Sequence, residues 1–389
     1  MRKRFAALLL TWVSWFWSHG TRVGISAITP FIRQRYSMST PEAAAVPGIL
    51  NLGFYGFAVF SGKVPSKTGY RNTAAAAALG SAAFMFLAAL FDNQLFLYVA
   101  VFMTGIFLSL HLPSVIPWLG TLFKGSRQGF IIGVHESAAP AGQTLGPIIL
   151  AILVSTVGVA YMFAAWAFIP FLAGLCLLLL FRGDRQMPAQ VVGGGGKIFD
   201  TEFLALTLVT VANLVGNLGV VAIVPLHLVD TFGLEKTFVA TVVGVSRLLG
   251  VFGQPLGGYL HDKHGFYKVA LIVTVANLFS NIYLILAPYN PLYPVVMTIQ
   301  AFVTAMYFPL VYSHLVKTHG PQASQYLGSM FFIAGLAGPT TAPILAGFIA
   351  ERVGYAAALG YPAALALAGS LMMLSLRKGK NMGSIVNHG

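Results

Sequence analysis

Charged side chains are nearly absent from this sequence: Asp, Glu, Lys and Arg make up 8% of its 389 residues, against roughly a quarter in an ordinary soluble domain. That scarcity excludes a soluble globular fold. It also excludes a nucleic-acid binder, whose solvated basic face needs a charge density this chain cannot supply, despite 23 Lys+Arg against 10 Asp+Glu. The single cysteine, Cys176, lies inside the apolar run FLAGLCLLLL, so neither a disulfide framework nor a thiolate metal cluster can form. The phosphate-cradling pattern G-x-x-x-x-G-K-[ST] is missing, so ATP does not drive the protein directly. His135-Glu136 does not open an H-E-x-x-H zinc site, because position 139 is Ala. No catalytic set, cofactor or metal is expected.

What the chain has instead is apolar length. Hydrophobic residues make up 57% of it and the mean hydropathy is +0.80. A helix needs about 20 mostly apolar residues to cross the hydrocarbon core. Twelve such stretches follow one another: 5–32, 43–62, 73–91, 95–121, 129–157, 160–181, 202–229, 237–260, 269–287, 293–316, 325–350 and 355–376. MRKR followed by apolar residues imitates a secretory signal, but the run continues through ISAITPFI and reads as the first span. An all-α membrane protein of twelve transmembrane helices is predicted. Seventeen Lys and Arg fall on the loops of one side, whereas the other side has Arg33, Arg35, Lys236 and Arg352. The positive-rich side stays cytoplasmic, so both termini are expected inside, in a multi-pass protein of the cytoplasmic (inner) membrane.

The chain also repeats itself. Gly62 and Gly69 recur as Gly258 and Gly265, Pro113 as Pro309, and Pro147-Ile148 as Pro343-Ile344, every pair 196 positions apart. One offset in several contexts implies two copies of a six-helix unit. The expected organisation is an N-terminal bundle over 1–182, a cytoplasmic linker over 183–200 containing four consecutive glycines, and a C-terminal bundle over 201–389.

Ionisable side chains cost about 2.5–3.5 kcal/mol or more at the bilayer centre, so their placement is informative. Spans 3, 6, 9 and 12 have none away from their ends; His19, Arg22, His111, His135, Glu136 and Arg247 lie in spans 1, 4, 5 and 8, with His227 and His314 nearer the ends of spans 7 and 10. Helical spacing aligns polar stripes: Thr11, Trp15, Ser18, Arg22, Ser26 and Thr29 in span 1; Thr104, Phe107, His111, Ser114 and Trp118 in span 4. Asn213 with Asn217, Arg247 with Gln254, and Gln300, Thr304, Tyr307 and His314 follow in spans 7, 8 and 10. Such stripes describe the wall of an internal polar cavity, or hydrogen bonds between helices.

Glu136 is the one acidic residue well inside a span. Burial raises a carboxyl pKa toward neutrality, which suits a proton carrier; the competing role is a salt bridge to Arg22 or Arg247. Those two arginines come from opposite halves, and a guanidinium fork fits a carboxylate, so a small organic anion is the expected substrate. His111 divides between substrate or proton duty and a structural bond. His135, about 100° around the helix from Glu136, reads as structural, as do His19, His227 and His314.

Twelve spans in two six-helix halves, with a G-x-x-x-D-[RK]-x-G loop at Gly258, Asp262, Lys263 and Gly265 followed by Lys268, resemble the major facilitator superfamily of secondary transporters over essentially the whole chain. The first-half loop departs from the pattern, with Ser66 at the acidic position and Lys67 at the basic one. The resemblance implies two pseudo-symmetric bundles, with helices 1, 4, 7 and 10 lining a central cavity and 3, 6, 9 and 12 facing lipid. More narrowly, Arg22, Ser26 and Pro30 in TRVGISAITP are similar to the first helix of the anion:cation symporter branch, though Thr21 and His111 stand where that branch has acids. Gly142-x-x-x-Gly146-Pro147 is similar to part of the antiporter motif of drug exporters, with Leu150-Ala151 in place of its final glycine pair.

The expected function is alternating-access transport, with proton-coupled uptake of a small carboxylate by a monomer. Arg22, Arg247, Asn217, Gln300, Tyr307 and His111 are the candidate substrate ligands. Glu136, with His111, is the candidate proton carrier. The alternative is proton-coupled export of hydrophobic or cationic compounds.

Overall fold

The computed structural model describes residues 2–123, 128–181, 200–319 and 323–386, all of it helix and short connections with no strand. The glycine-rich linker lies outside the described residues apart from Asp200, which caps the helix after it by accepting from the Phe203 amide at 2.7 Å. Among the described residues, ten helices are long and apolar enough to cross a membrane. One of them, Ile131–Leu180, is interrupted at Gly158 (φ 79°) and counts as two spans. Arg2–Ala27, rich in tryptophan and hydroxyl groups, completes the twelve.

We number the spans α1 (Arg2–Ala27), α2 (Thr40–Ser61), α3 (Tyr70–Leu90), α4 (Gln94–Leu122), α5 (131–157) and α6 (159–180) in the first half. The second half has α7 (Thr201–Phe232), α8 (Lys236–His264), α9 (Phe266–Leu286), α10 (Leu292–His319), α11 (Tyr326–Arg352) and α12 (Tyr355–Arg377). The halves match in conformation as well as sequence. Gly69 (φ 80°, ψ 157°) and Gly265 (φ 77°, ψ 161°) adopt the same backbone geometry, which a side chain would strain, and each starts a 21-residue helix.

Burial sorts the helices. α7 is the most enclosed, with 89% of its apolar window inside the protein. Large apolar side chains are exposed along α6, α9 and α12, among them Phe168, Leu172, Phe279 and Leu371; in a bilayer this surface meets lipid. The other face of α9 is polar: Gln300 donates to Asn281 Oδ1 (2.7 Å), Asn281 to Asn277 Oδ1 (3.2 Å), and Asn277 to the Ala212 carbonyl (3.1 Å). This amide ladder ties α9 to α10 and α7.

Close helix crossings use small residues, as expected where lipid tails compete with apolar packing. A Cβ on Gly142 or Gly146 would collide with the α1 backbone at Phe16 and Gly20. The Gly142-x-x-x-Gly146 pair therefore joins α1 to α5.

The two halves meet at one end and part at the other. At the closed end, the short helix Thr29–Arg35 that follows α1 brings Arg33 to Asp230 on α7, with Nη1 donating to Oδ2 at 2.5 Å and Nη2 to Oδ1. The Tyr355 hydroxyl adds a third bond to Asp230 at 2.5 Å, and Lys236 Nζ reaches Gln34. Behind this latch α2 lies tight on α11: a Cβ on Gly48 would come within 2.7 Å of the Thr340 carbonyl, and one on Gly347 within 2.8 Å of the Ala44 Cβ. At the other end, which bears Lys63, Lys263 and Lys317, a cavity opens between the halves.

Candidate functional site

The cavity has a volume of about 1340 Å³ and is walled by both halves. Trp15, His19 and Arg22 come from α1, Phe54 and Tyr55 from α2, Glu136 and Gln143 from α5; Asn217 comes from α7, Gln254 from α8, Tyr312 from α10 and Phe332 from α11. Prolines and helix breaks aim its polar side chains. α4 is interrupted at Leu110, three residues before Pro113, and α5 at Ser137, three before Pro140. A proline cannot donate to the i−4 carbonyl and its ring crowds that turn. His111 sits immediately after the first break and His135-Glu136 immediately before the second. In α7 a π-helical turn, Val215–Gly219, carries Asn217 to the cavity wall; such bulges recur at functional sites.

Arg22 is 5% exposed. Its Nε and Nη2 donate to Asn51 Oδ1 at 3.1 and 3.0 Å, and Nη2 also donates to the Tyr55 hydroxyl at 2.9 Å. The guanidinium lies 4.2 Å from the Phe54 ring centroid, a cation–π contact that shields one face. Among the described residues no carboxylate comes within 4 Å of it. Asn51 also donates to the Pro339 carbonyl of α11 at 3.4 Å, so the residue that holds Arg22 touches both halves.

Glu136 is the one carboxylate among the lining residues. It does not pair with either arginine. Its Oε1 lies 2.9 Å from His135 Nδ1, and His135 Nε2 lies 3.2 Å from His111 Nε2. Although the two Cα–Cβ directions diverge along the helix, the long Glu136 side chain curls back to its neighbour; the 100° spacing fixes where side chains start, not where their tips end. An ionised Glu136 only accepts, so His135 Nδ1 donates to it, His135 Nε2 accepts, and His111 Nε2 supplies the second proton. Trp15 packs on this chain: its ring is 4.9 Å from His111 and 6.2 Å from His135, both stacked, and 4.4 Å from His19 edge-on. His19 Nδ1 lies 3.1 Å from Gln143 Nε2. Three imidazoles, one indole and one carboxylate thus form a single cluster on the N-terminal wall.

The remaining candidates lie behind the wall. Arg247 is buried at a break in α8, with Nη2 donating to the Asn217 carbonyl at 2.5 Å; Nε and Nη1 have no hydrogen-bond partner among the described residues. Gln300 is committed to the amide ladder, and the fully buried Tyr307 hydroxyl lies 2.9 Å from the Thr210 hydroxyl. His111 does not line the cavity; it lies behind Trp15, with its Nε2 against the buried His135. Of the loop residues, Asp262 Oδ1 accepts from Lys317 Nζ of α10 at 2.7 Å, beside His261 Nδ1 at 3.2 Å. Lys263 sits over the Tyr259 ring, and Gly258 and Gly265 have open space where a Cβ would go. Ser66 in the first half bonds back to the Lys63 carbonyl and makes no cross-helix pair.

Asn51, Phe54 and Tyr55, which hold Arg22, were absent from the candidates read in the sequence, as was the Arg33–Asp230–Tyr355 latch. A polar Asn51 inside an apolar span was the available signal for the first; the latch residues are far apart in the chain and look like ordinary loop-end charges.

Comparison with known proteins agrees with this architecture. The family model described as Major Facilitator Superfamily matches residues 5–205 and again 206–385. An uncharacterized MFS-type transporter of Methanocaldococcus jannaschii is 24% identical over 199 residues, which is 49% of this chain and 50% of that protein, so the match spans about half of either. Among solved structures, the nucleoside transporter NupG superposes with a TM-score of 0.80 at 12% identity, covering 95% of this chain and 99% of that one. A POT family transporter in complex with 5-aminolevulinic acid gives 0.79 at 13%, covering 96% of each. A bacterial homolog of the human lysosomal transporter Spinster, inward-facing and unoccupied, gives 0.74 at 14%, covering 95% of each. With a duplicated six-helix unit, a cavity between its copies and a family match over nearly every residue, the chain belongs to the Major Facilitator Superfamily and is a secondary transporter rather than an enzyme.

Proposed function

We propose that the protein carries a small organic anion together with protons by alternating access, with Arg22 as the substrate cation and Glu136 as the proton carrier. The observation that carries this reading is their coexistence on one cavity wall, the arginine without a carboxylate partner and the carboxylate engaged only with imidazole. A guanidinium held only by neutral groups beside a cavity favours an anion. The end bearing Lys63, Lys263 and Lys317 is assigned to the cytoplasm by its positive charge, which makes this conformation inward-open and puts both termini inside the inner membrane. The transporting unit in this reading is a monomer.

A ligand moves a two-state protein only through different affinity for the two states. Here a substrate carboxylate competes with Asn51 Oδ1 for Arg22, and Asn51 bridges to Pro339 in the opposite half. Substrate arrival thereby alters a contact between the bundles. Protonation of Glu136 removes the charge that accepts from His135 Nδ1 and so rearranges the hydrogen bonds that run from Glu136 through His135 to His111. Asn217 reads substrate shape, Gln300 and Tyr307 fix the helices behind it, and Arg247 acts when the bulge at Asn217 repacks in the opposite-facing state.

Aromatic side chains along the cavity favour a second reading, export of hydrophobic compounds. Efflux from a drug-sensitive host separates the two. The test of the proton role is Glu136→Gln in proteoliposomes. Proton-driven accumulation is expected to disappear while substrate counterflow persists; unchanged accumulation removes Glu136 from coupling.

A further inference from the structure

The cavity walls carry information that anion binding alone does not use. Near Arg22 the lining is polar, with His19, Gln143 and Asn217, whereas Glu136 sits farther toward the mouth, next to Ser137, which accepts from Trp12 about 15 Å down α1 from Arg22. Between Arg22 and the mouth at Ser61 and Lys317 the lining is mainly apolar and aromatic, with Phe54, Leu112, Phe308, Tyr312, Phe331 and Phe332 contributed by four helices of both halves. At 1.5 Å per residue, the stretch of α2 from Tyr55 to Ser61 and that of α10 from Phe308 to Lys317 give this apolar sleeve a length of roughly 9–13 Å. The volume of about 1340 Å³ exceeds the roughly 300–1,000 Å³ usual for a small-molecule pocket. A hydrophilic acid the size of lactate would fill the polar end and leave the sleeve wet. When the mouth closes, those aromatic faces must pack on something, and a substrate with an apolar body supplies it.

Resting on the anion reading above, we infer that the substrate is an amphipathic monoanion: a carboxylate held at Arg22, joined by a short linker to an aromatic or branched aliphatic body that lies in the sleeve. Phe54 contributes twice. Its ring covers one face of the guanidinium, which leaves the edge for the carboxylate, and the ring borders the start of the sleeve, where an arene on the substrate can pack beside it.

The test is isothermal titration of the full-length purified protein with acetate, lactate, benzoate and ω-phenylalkanoates from two to eight methylenes, with the matching uncharged amides in parallel. Affinity is expected to rise about fourfold per added methylene, to level off once the body exceeds the sleeve, and to exceed that of acetate and lactate by at least 100-fold. Phe332→Ser is expected to lower the slope, whereas Arg22→Gln is expected to cost the acid its advantage over the amide and leave the slope intact. A flat series, or lactate binding as tightly as 4-phenylbutyrate, overturns the amphipathic substrate while sparing the anion reading if Arg22→Gln still weakens binding. Equal affinity for acids and amides with an intact slope overturns the anion reading instead. Absence of binding across the whole series overturns the amphipathic assignment.

Discussion

Asp230 offers the sharpest handle on the conformational cycle, because its two hydrogen bonds from Arg33 join the halves at their closed end while Tyr355, from its own half, holds the carboxylate in place. Its carboxylate accepts twice from Arg33 and once from Tyr355, and the two charged side chains are 23% and 26% exposed. Breaking one side of a fully buried pair costs about 3–5 kcal/mol, whereas a surface pair contributes about 0–1 kcal/mol. A quarter-exposed bidentate pair falls between, at about 2 kcal/mol, which is a shift of roughly 30-fold in a two-state equilibrium. Asp230→Asn keeps an acceptor for Tyr355 but removes the charge. It should therefore raise the population open at this end by about 30-fold. The assay is the rate at which a membrane-impermeant maleimide labels Ala44→Cys in a Cys176→Ser background. Ala44 is fully buried and packs at the position of Gly347, so it reacts only when α2 and α11 separate. An unchanged rate refutes the latch. So does failure of the exchanged pair, Arg33→Asp with Asp230→Arg, to slow the reaction again.

Two further substitutions test the seam and the buried cation. Gly48→Leu places side-chain atoms where the Thr340 carbonyl already lies within 2.7 Å of a Cβ; overpacking of this kind costs about 1–3 kcal/mol, and the same maleimide assay should show faster labelling with no loss of folded protein. Arg247→Met removes a buried guanidinium with two unpartnered N–H groups. It is expected to stabilise the protein by about 1–3 kcal/mol, read as a higher melting temperature, while abolishing transport; a lower melting temperature would mean that the charge is satisfied in this conformation.

Much of the architecture was legible in the sequence because membrane physics leaves few choices. Apolar length counts the spans, and the constant offset between Gly69 and Gly265 revealed a duplication that reappears as matched φ and ψ. The site was legible only in part. Helical spacing put Arg22, Asn217 and Gln300 on inward faces, and Glu136 stood out as the one acid well inside a span, but an inward face can meet water or another helix. Arg22, Asn217 and Glu136 line the cavity, whereas Gln300 faces Asn281, an amide on a helix expected to contact only lipid. Periodicity alone cannot make that distinction, since polar groups that satisfy one another and polar groups that face solvent leave the same pattern. The tie between Glu136 and His135 escaped for a different reason, because angular spacing describes Cβ directions and a glutamate spans three more bonds.

The dependence of conformation on proton binding at Glu136 can be measured without knowing the substrate. Spin labels at Lys67→Cys and Lys263→Cys, both exposed at the basic end, report its opening by pulsed dipolar spectroscopy in a Cys176→Ser background. Expected is a distance distribution that shifts between closed and open populations on acidification, and that stops responding to pH in Glu136→Gln. A distribution indifferent to pH in the otherwise native chain, or one that still responds after Glu136→Gln, would contradict proton-coupled alternation centred on this carboxylate.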